Sequence, residues 1–166
     1  TQQKNIYVMT GHGERDVASN EATGFTYAID GIRGDNYAVQ TMSLREKDEI
    51  PTVSSLDDQA LSGESPAAAV IIAGPTQELE DKEFEALFTY LKNGGRAAFL
   101  LDPDPPESFK KLLGKRGIVV NDGIIVDERG VVSGQPQTPL IPRQRYLDTI
   151  PSITSTLDEV FLPGSA

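Results

Sequence analysis

Residues Ala67-Ala68-Ala69-Val70-Ile71-Ile72-Ala73 are apolar without interruption, and Gly74-Pro75 ends the run. A stretch this short, bounded by a turn signal and without polar alternation, reads as a strand covered on both faces. That is the position of a central strand in a parallel sheet. One such strand constrains much of what surrounds it, because helices must cover both faces and each parallel neighbour needs a crossover connection. The rest of the chain supplies those parts. Ile6-Tyr7-Val8-Met9 is a second apolar run, stopped by Thr10-Gly11-His12-Gly13-Glu14. Phe25, Ile29 and Ile32 lie at helical spacing, although Gly31 costs that helix about 1 kcal/mol against alanine. Tyr37–Met42 alternates and reads as a strand.

Residues 43–66 are polar, acidic and turn-rich, with a helical turn expected near Leu56–Leu61. The clearest helix runs from about Glu80 to Asn93. Phe84, Leu87, Phe88 and Leu91 follow the i, i+3, i+4, i+7 pattern of a buried face. Glu80, Asp81 and Glu83 suit the positive end of its dipole, and Gly94-Gly95 stops it. Ala97–Leu101 is the next strand. A helix over Glu107–Arg116 follows Pro105-Pro106, with Phe109, Leu112 and Leu113 facing the core. Ile118–Val120 and Ile124–Val126 are two short strand candidates around Asn121-Asp122-Gly123. Beyond Asp127 the Gly/Pro/Gln-rich sequence predicts mostly loop, with a strand near Leu140 or Tyr146. The expected fold is α/β: an open, doubly wound, mainly parallel sheet, a flavodoxin-like or Rossmann-like three-layer sandwich. We expect one domain over 1–166, with a core over about 5–127 and a loop-rich extension over 128–166.

Composition removes several functions. Fifteen Lys+Arg against 25 Asp+Glu leave a net charge of −10, which repels nucleic-acid phosphates and anionic headgroups. With no cysteine there are no disulfides, no cysteine-ligated metals and no thiol nucleophile. No apolar run reaches the roughly 18–20 residues that span a bilayer.

In a doubly wound fold the loops after the strands gather at the carboxyl edge of the sheet, the usual ligand edge. That brings forward Gly11, His12, Gly13 and Glu14 after the first strand, Pro75 after the third and Asp102 after the fourth. Gly11-His12-Gly13-Glu14 is a poor dinucleotide loop, because Asp16 stands where the third glycine belongs and would repel a pyrophosphate. There is neither a P-loop nor a G-x-S-x-G elbow. His12 is the only histidine. As a catalytic group it would act with Glu14 or Asp102; as a ligand it would need Asp102 and Asp104 for a hard cation. The simpler readings are that the glycines permit a tight turn, that His12 and Glu14 bond neighbouring loops, and that Asp102 and Asp104 cap the following helix.

The ordered series Thr10-Gly11-His12-Gly13-Glu14, Ala69–Pro75, Leu87 with Tyr90-Leu91, Asn93-Gly94-Gly95-Arg96, Leu101-Asp102-Pro103 and Asn121–Asp127 resembles a known family. It is the auxiliary extracytoplasmic domain of bacterial ABC-type transport systems, the group that includes the gliding-motility protein GldG. The resemblance covers about Ile6–Asp127. It implies a flavodoxin-like or Rossmann-like domain on the outer side of the bacterial cell membrane, working beside an ABC permease and its ATPase; it offers no established catalytic residues to carry over, and we expect no cofactor. Glu80 stands where the family pattern has a Ser or Thr helix cap.

Three functions are therefore in view. The first is a non-enzymatic auxiliary domain acting through protein or ligand contacts at the carboxyl edge. The second is a receptor for a small ligand such as a sugar or peptide. The third is a hydrolase built on His12. The chain starts at Thr1, so we expect an excised part of a membrane-anchored protein. The full reading frame should then carry about 20 consecutive apolar residues on either side. Sequencing the complete gene checks this, and a frame without such a segment removes the membrane assignment.

Overall fold

The computed structural model describes residues 3–21, 23–52, 65–126, 131–132, 135–145 and 159–161. The chain falls into two compact units, Thr1–Leu101 with Pro105–Val119, and Asp102–Asp104 with Val120–Ala166.

The first unit holds strands β1 (Lys4–Met9), β2 (Tyr37–Met42), β3 (Ala67–Ala73) and β4 (Ala97–Leu100). It also holds helices α1 (Thr26–Gly34), α2 (Asp81–Lys92) and α3 (Glu107–Gly114). All strand pairs are parallel and their order is β2-β1-β3-β4. This is the flavodoxin-like order, with β1 and β3 in the centre as their apolar sequences require.

Alternation along the strands divides the core. Tyr7 pairs with Val70, and both join Met9 and Ile72 in a buried cluster with Leu87, Tyr90 and Leu91 of α2 and Phe109 and Leu112 of α3. Val8 and Ala73, one residue out of phase, are buried outside that cluster, as is Ile29 of α1. Right-handed crossovers require this arrangement: β1 to β2 and β3 to β4 step in opposite directions, so their helices lie on opposite faces.

α2 begins after Glu80 and ends before Asn93, as the acidic first turn and Gly94-Gly95 predict. Its buried stripe is rotated from the predicted one. Glu83, Leu87, Tyr90 and Leu91 are buried. Phe84 and Phe88 are half-buried, stacked with centroids 6.4 Å apart, and Lys115 Nζ sits 4.9 and 4.8 Å from them. The turn into β4 is fixed by Tyr90, whose hydroxyl donates to Arg96 O at 3.0 Å and accepts from Arg96 N at 3.1 Å. Burial pushes this phenol above its ordinary pKa.

The expected strands at Ile118–Val120 and Ile124–Val126 do not form. Ile118 and Val119 in the first unit are 54% and 81% exposed, and Ile124, Ile125 and Val126 in the second are similarly open. Among the described residues no strand pairs with β4 on its outer side. Three β-branched residues do not hold an extended segment without a ladder to join.

The second unit contains β5 (Val131–Val132), β6 (Gln135–Pro142), a 3₁₀ turn at Arg143–Arg145 and β7 (Glu159–Phe161), in antiparallel order β5-β6-β7. The strand expected near Leu140 is β6; Tyr146 lies outside the described residues, as does the turn expected at Leu56–Leu61. β6 is a strand despite Pro136, Pro139 and Pro142. Its pairs with β5 involve Gln135 and Pro139, and its pairs with β7 involve Leu140–Pro142. Each half thus has a neighbour on one side, leaving an open side for residues without an N–H.

A Cβ on Gly95 would lie 2.5 Å from the Tyr90 ring. We therefore expect Gly95→Ala to destabilise the first unit by about 1–3 kcal/mol through overpacking. Tyr90→Phe should cost about 1 kcal/mol through the lost Arg96 bonds. Urea unfolding midpoints measure both.

Candidate functional site

The loop after β1 is pinned at both ends by backbone bonds to neighbouring strands. Thr10 N donates to Met42 O at the end of β2, and Arg15 N donates to Ala73 O at the end of β3, both at 2.8 Å. Between them Gly11 and Gly13 take φ of +110° and +74°, values that favour glycine. A Cβ on Gly13 would collide with Thr76 Oγ1. This tight turn drives the His12 side chain inward, so that it is 0% exposed. The His12 carbonyl oxygen accepts from Thr76 N at 2.8 Å and Gln77 N at 2.9 Å, tying the turn to the segment between β3 and α2.

Two buried carboxylates face the imidazole. Glu83 Oε2 lies 3.0 Å from Nε2, and Glu14 Oε1 lies 3.4 Å from Nδ1. The Glu83 and Glu14 side chains are 0% and 1% exposed. Glu14 Oε2 also accepts His12's backbone N–H at 2.7 Å. Glu83 Oε2 accepts Glu80 N at 2.7 Å, as the third helical residue of a capping box does. Arg45, after β2, brings its Nε to 3.9 Å from Glu83 Oε1 and donates through Nη2 to Gln77 Oε1 at 3.2 Å.

The charges shift one another. The adjacent Glu14 carboxylate raises the His12 pKa above its ordinary 6.5; burial opposes this, and Glu83 reinforces it. Burial alone would raise Glu14, but the His12 ring and backbone N–H outweigh it and hold the carboxyl below 4.5. Three buried polar atoms, His12 Nδ1, Glu14 Oε1 and Glu83 Oε1, lack a well-aligned hydrogen bond. The cluster's hydrogen bonds run instead through His12 Nε2 to Glu83 Oε2, His12 N to Glu14 Oε2 and Glu80 N to Glu83 Oε2.

The structure brings Gly11, His12, Gly13 and Glu14 together with the segment after Gly74, where Pro75 is buried. Gly11 and Gly13 are exposed and the His12 side chain lies beneath them. Asp102 is exposed and belongs to the second unit, as does Asp104, whose Oδ1 accepts Gly123 N at 3.4 Å. The N–H groups of Glu107 and Ser108 at the start of α3 go to Glu78, at 2.9 and 2.7 Å. Ser108 and its backbone N–H in turn hold Glu78 below the ordinary carboxyl pKa. Among the described residues, no group of three or more His, Asp or Glu side chains is disposed to hold a metal ion.

Sequence reasoning missed Glu83 as a partner of His12, assigning it only to the helix dipole. The signal was present. Glu83 is in phase with Leu87, Tyr90 and Leu91 at i+4, i+7 and i+8, and it stands three residues after Glu80 as a capping box demands.

A family model described as an ABC-type uncharacterized transport system matches residues 3–163. The chain belongs to that family, as an auxiliary domain of an ABC transport system. No curated protein matches the chain. Among solved structures it is similar to one titled "mmIFT52 N-terminal domain", with a TM-score of 0.61 and 20% identity over 97% of this chain. The match takes in 66% of that chain, so this chain spans about two thirds of its length. At this identity the likeness is one of fold.

Glu83→Ala removes the acceptor of both His12 Nε2 and Glu80 N while Glu14 still balances the imidazolium, so it should destabilise the first unit by about 1–3 kcal/mol through the unsatisfied buried donors. Glu83→Gln, which still offers an oxygen to Glu80 N, should cost clearly less; chemical denaturation of the two variants makes the comparison. The pKa directions also fix a pH profile. The His12 contribution is complete below 6.5 and is lost as pH rises through its elevated pKa. The Glu14 contribution is complete above 4.5 and is lost as pH falls through its depressed pKa. Stability from this cluster therefore peaks between those values, and His12→Ala should flatten the alkaline limb in a series of denaturation midpoints against pH.

Proposed function

We propose that this member of the ABC-type transport family is a non-enzymatic, extracytoplasmic auxiliary domain that works through protein contacts at the carboxyl edge of its sheet. The family match over residues 3–163 carries the reading. The site supports it. Both ring nitrogens of His12, the one imidazole in the chain, face buried carboxylates, and the ring has no exposed surface on which to meet a substrate. What the edge offers a partner is a set of exposed, mostly polar residues: Gly11 and Gly13 at the turn, Arg45 and Glu46 after β2, and Thr76 and Gln77 after β3. Polar contact of this kind suits a regulated association with a permease subunit.

No helix among the described residues is long and apolar enough to cross a membrane. Attachment in this reading comes from segments of the parent protein beyond these residues.

Gln77→Arg combined with Glu46→Arg alters exposed side chains at this edge. When the full-length protein is co-purified with its permease and ATPase, this pair should reduce permease recovery about tenfold, the effect of roughly 1.4 kcal/mol. Recovery at the wild-type level, with an unchanged circular dichroism spectrum, would count against the carboxyl edge as the contact.

A further inference from the structure

His12 has a carboxylate on each side and a glycine at positive φ before and after it. The Glu14 carboxylate belongs to the same turn as His12, whereas Glu83 belongs to the first turn of α2 and is fixed there by Glu80 N. Arg45 is the remaining charged group, reaching Glu83 from the segment after β2. With the imidazole protonated, two cations and two carboxylates balance. Both ring nitrogens then carry a proton, so both carboxylates have a charged donor.

A neutral imidazole has a single N–H and can serve one carboxylate only. Glu83 is the better placed, at 3.0 Å from Nε2 against 3.4 Å for Glu14 from Nδ1. Deprotonation thus leaves Glu14 buried, negative and opposite an unprotonated nitrogen, held by the backbone N–H groups of His12 and of Glu14 itself with no cationic donor from the ring. Burying a carboxylate without a counter-charge is costly, and Gly11 and Gly13 supply the backbone freedom for the turn to release it.

We propose that His12 is a proton-operated latch: its imidazolium clamps the Gly11–Glu14 turn to the start of α2, and loss of the proton lets the turn open and Glu14 reach water. The latch remodels the edge proposed above as the contact surface, yet it rests on the cluster alone and holds whatever partner that edge meets. Thr76 and Gln77 move with it, since their N–H groups bond the His12 carbonyl.

Because the chain has one histidine, its imidazole ¹⁵N signals are unambiguous. The test follows them by NMR from about pH 5 to pH 10, together with amide-exchange protection corrected for intrinsic rates. Three results are expected. The ring titrates above 6.5, its remaining proton sits on Nε2, and protection at the His12, Thr76 and Gln77 amides of the turn falls about tenfold in step with the titration while Tyr7–Met9 in β1 stays protected. In His12→Gln the turn should be poorly protected and insensitive to pH over that range. If that variant does not fold, Glu83→Gln serves instead and should move the ring's titration down toward 6.5. A wild-type ring titrating at or below 6.5, or turn protection unchanged through the titration, overturns the latch. So does a His12→Gln variant that keeps the wild-type pH response. None of these measurements involves a transport partner, so their failure and the failure of the contact reading are separate results.

Discussion

The ion cluster of His12, Glu14 and Glu83 is the interaction on which the carboxyl edge of this domain depends. It draws together a turn after β1 and the first turn of α2, which are 71 residues apart at the His12–Glu83 contact. Arg45 adds the segment after β2. Buried ion pairs are weak contributors when compared with apolar packing, because desolvation offsets most of the attraction. Their strength lies in specificity: once two carboxylates are buried, only an arrangement that brings a cation between them is tolerated. His12 fills that role, and the turn glycines allow its side chain to point inward.

The sheet beneath obeys simpler rules. Its two central strands, β1 and β3, bury residues on both sides, and each successive side chain is claimed by a different layer. One face packs α2 and α3 through a continuous apolar cluster. At the opposite end of α2, Tyr90 repeats the logic of the His12 cluster on a smaller scale. A polar group enters the core only where its partners, here the Arg96 backbone groups, are fixed. The sheet therefore has a polar pin at each end of one helix, with apolar packing between them.

Most of this framework was legible in the residues. β2 and β3 have the bounds that alternation and continuous apolarity predict, and α2 differs only by its cap residues. Three features were misread or read only in part, each for a physical reason. The α2 stripe was placed on Phe84 and Phe88 because periodicity ranks side chains by hydrophobicity. The structure buries Glu83 and leaves the phenylalanines half-covered under Lys115, because His12 supplies the counter-charge. Ile118–Val120 has the composition of a strand and lacks a described neighbour to pair with. β6 was expected only near Leu140; it runs back through Pro139 and Pro136 to Gln135 because its halves pair on different sides. Strand formation is decided by the partner, which local sequence does not name.

By itself, the sequence determined the class of fold, the order of elements from β1 to α3, and the exclusion of thiol chemistry. Those follow from local periodicity and composition, which do not depend on distant contacts. It also singled out Gly11–Glu14 as the unusual loop. Only the tertiary structure decided what that loop is for within the fold. Whether a lone histidine faces water or lies between two carboxylates depends on a helix that arrives 71 residues later, and burial and charge pairing are properties of that meeting rather than of either segment.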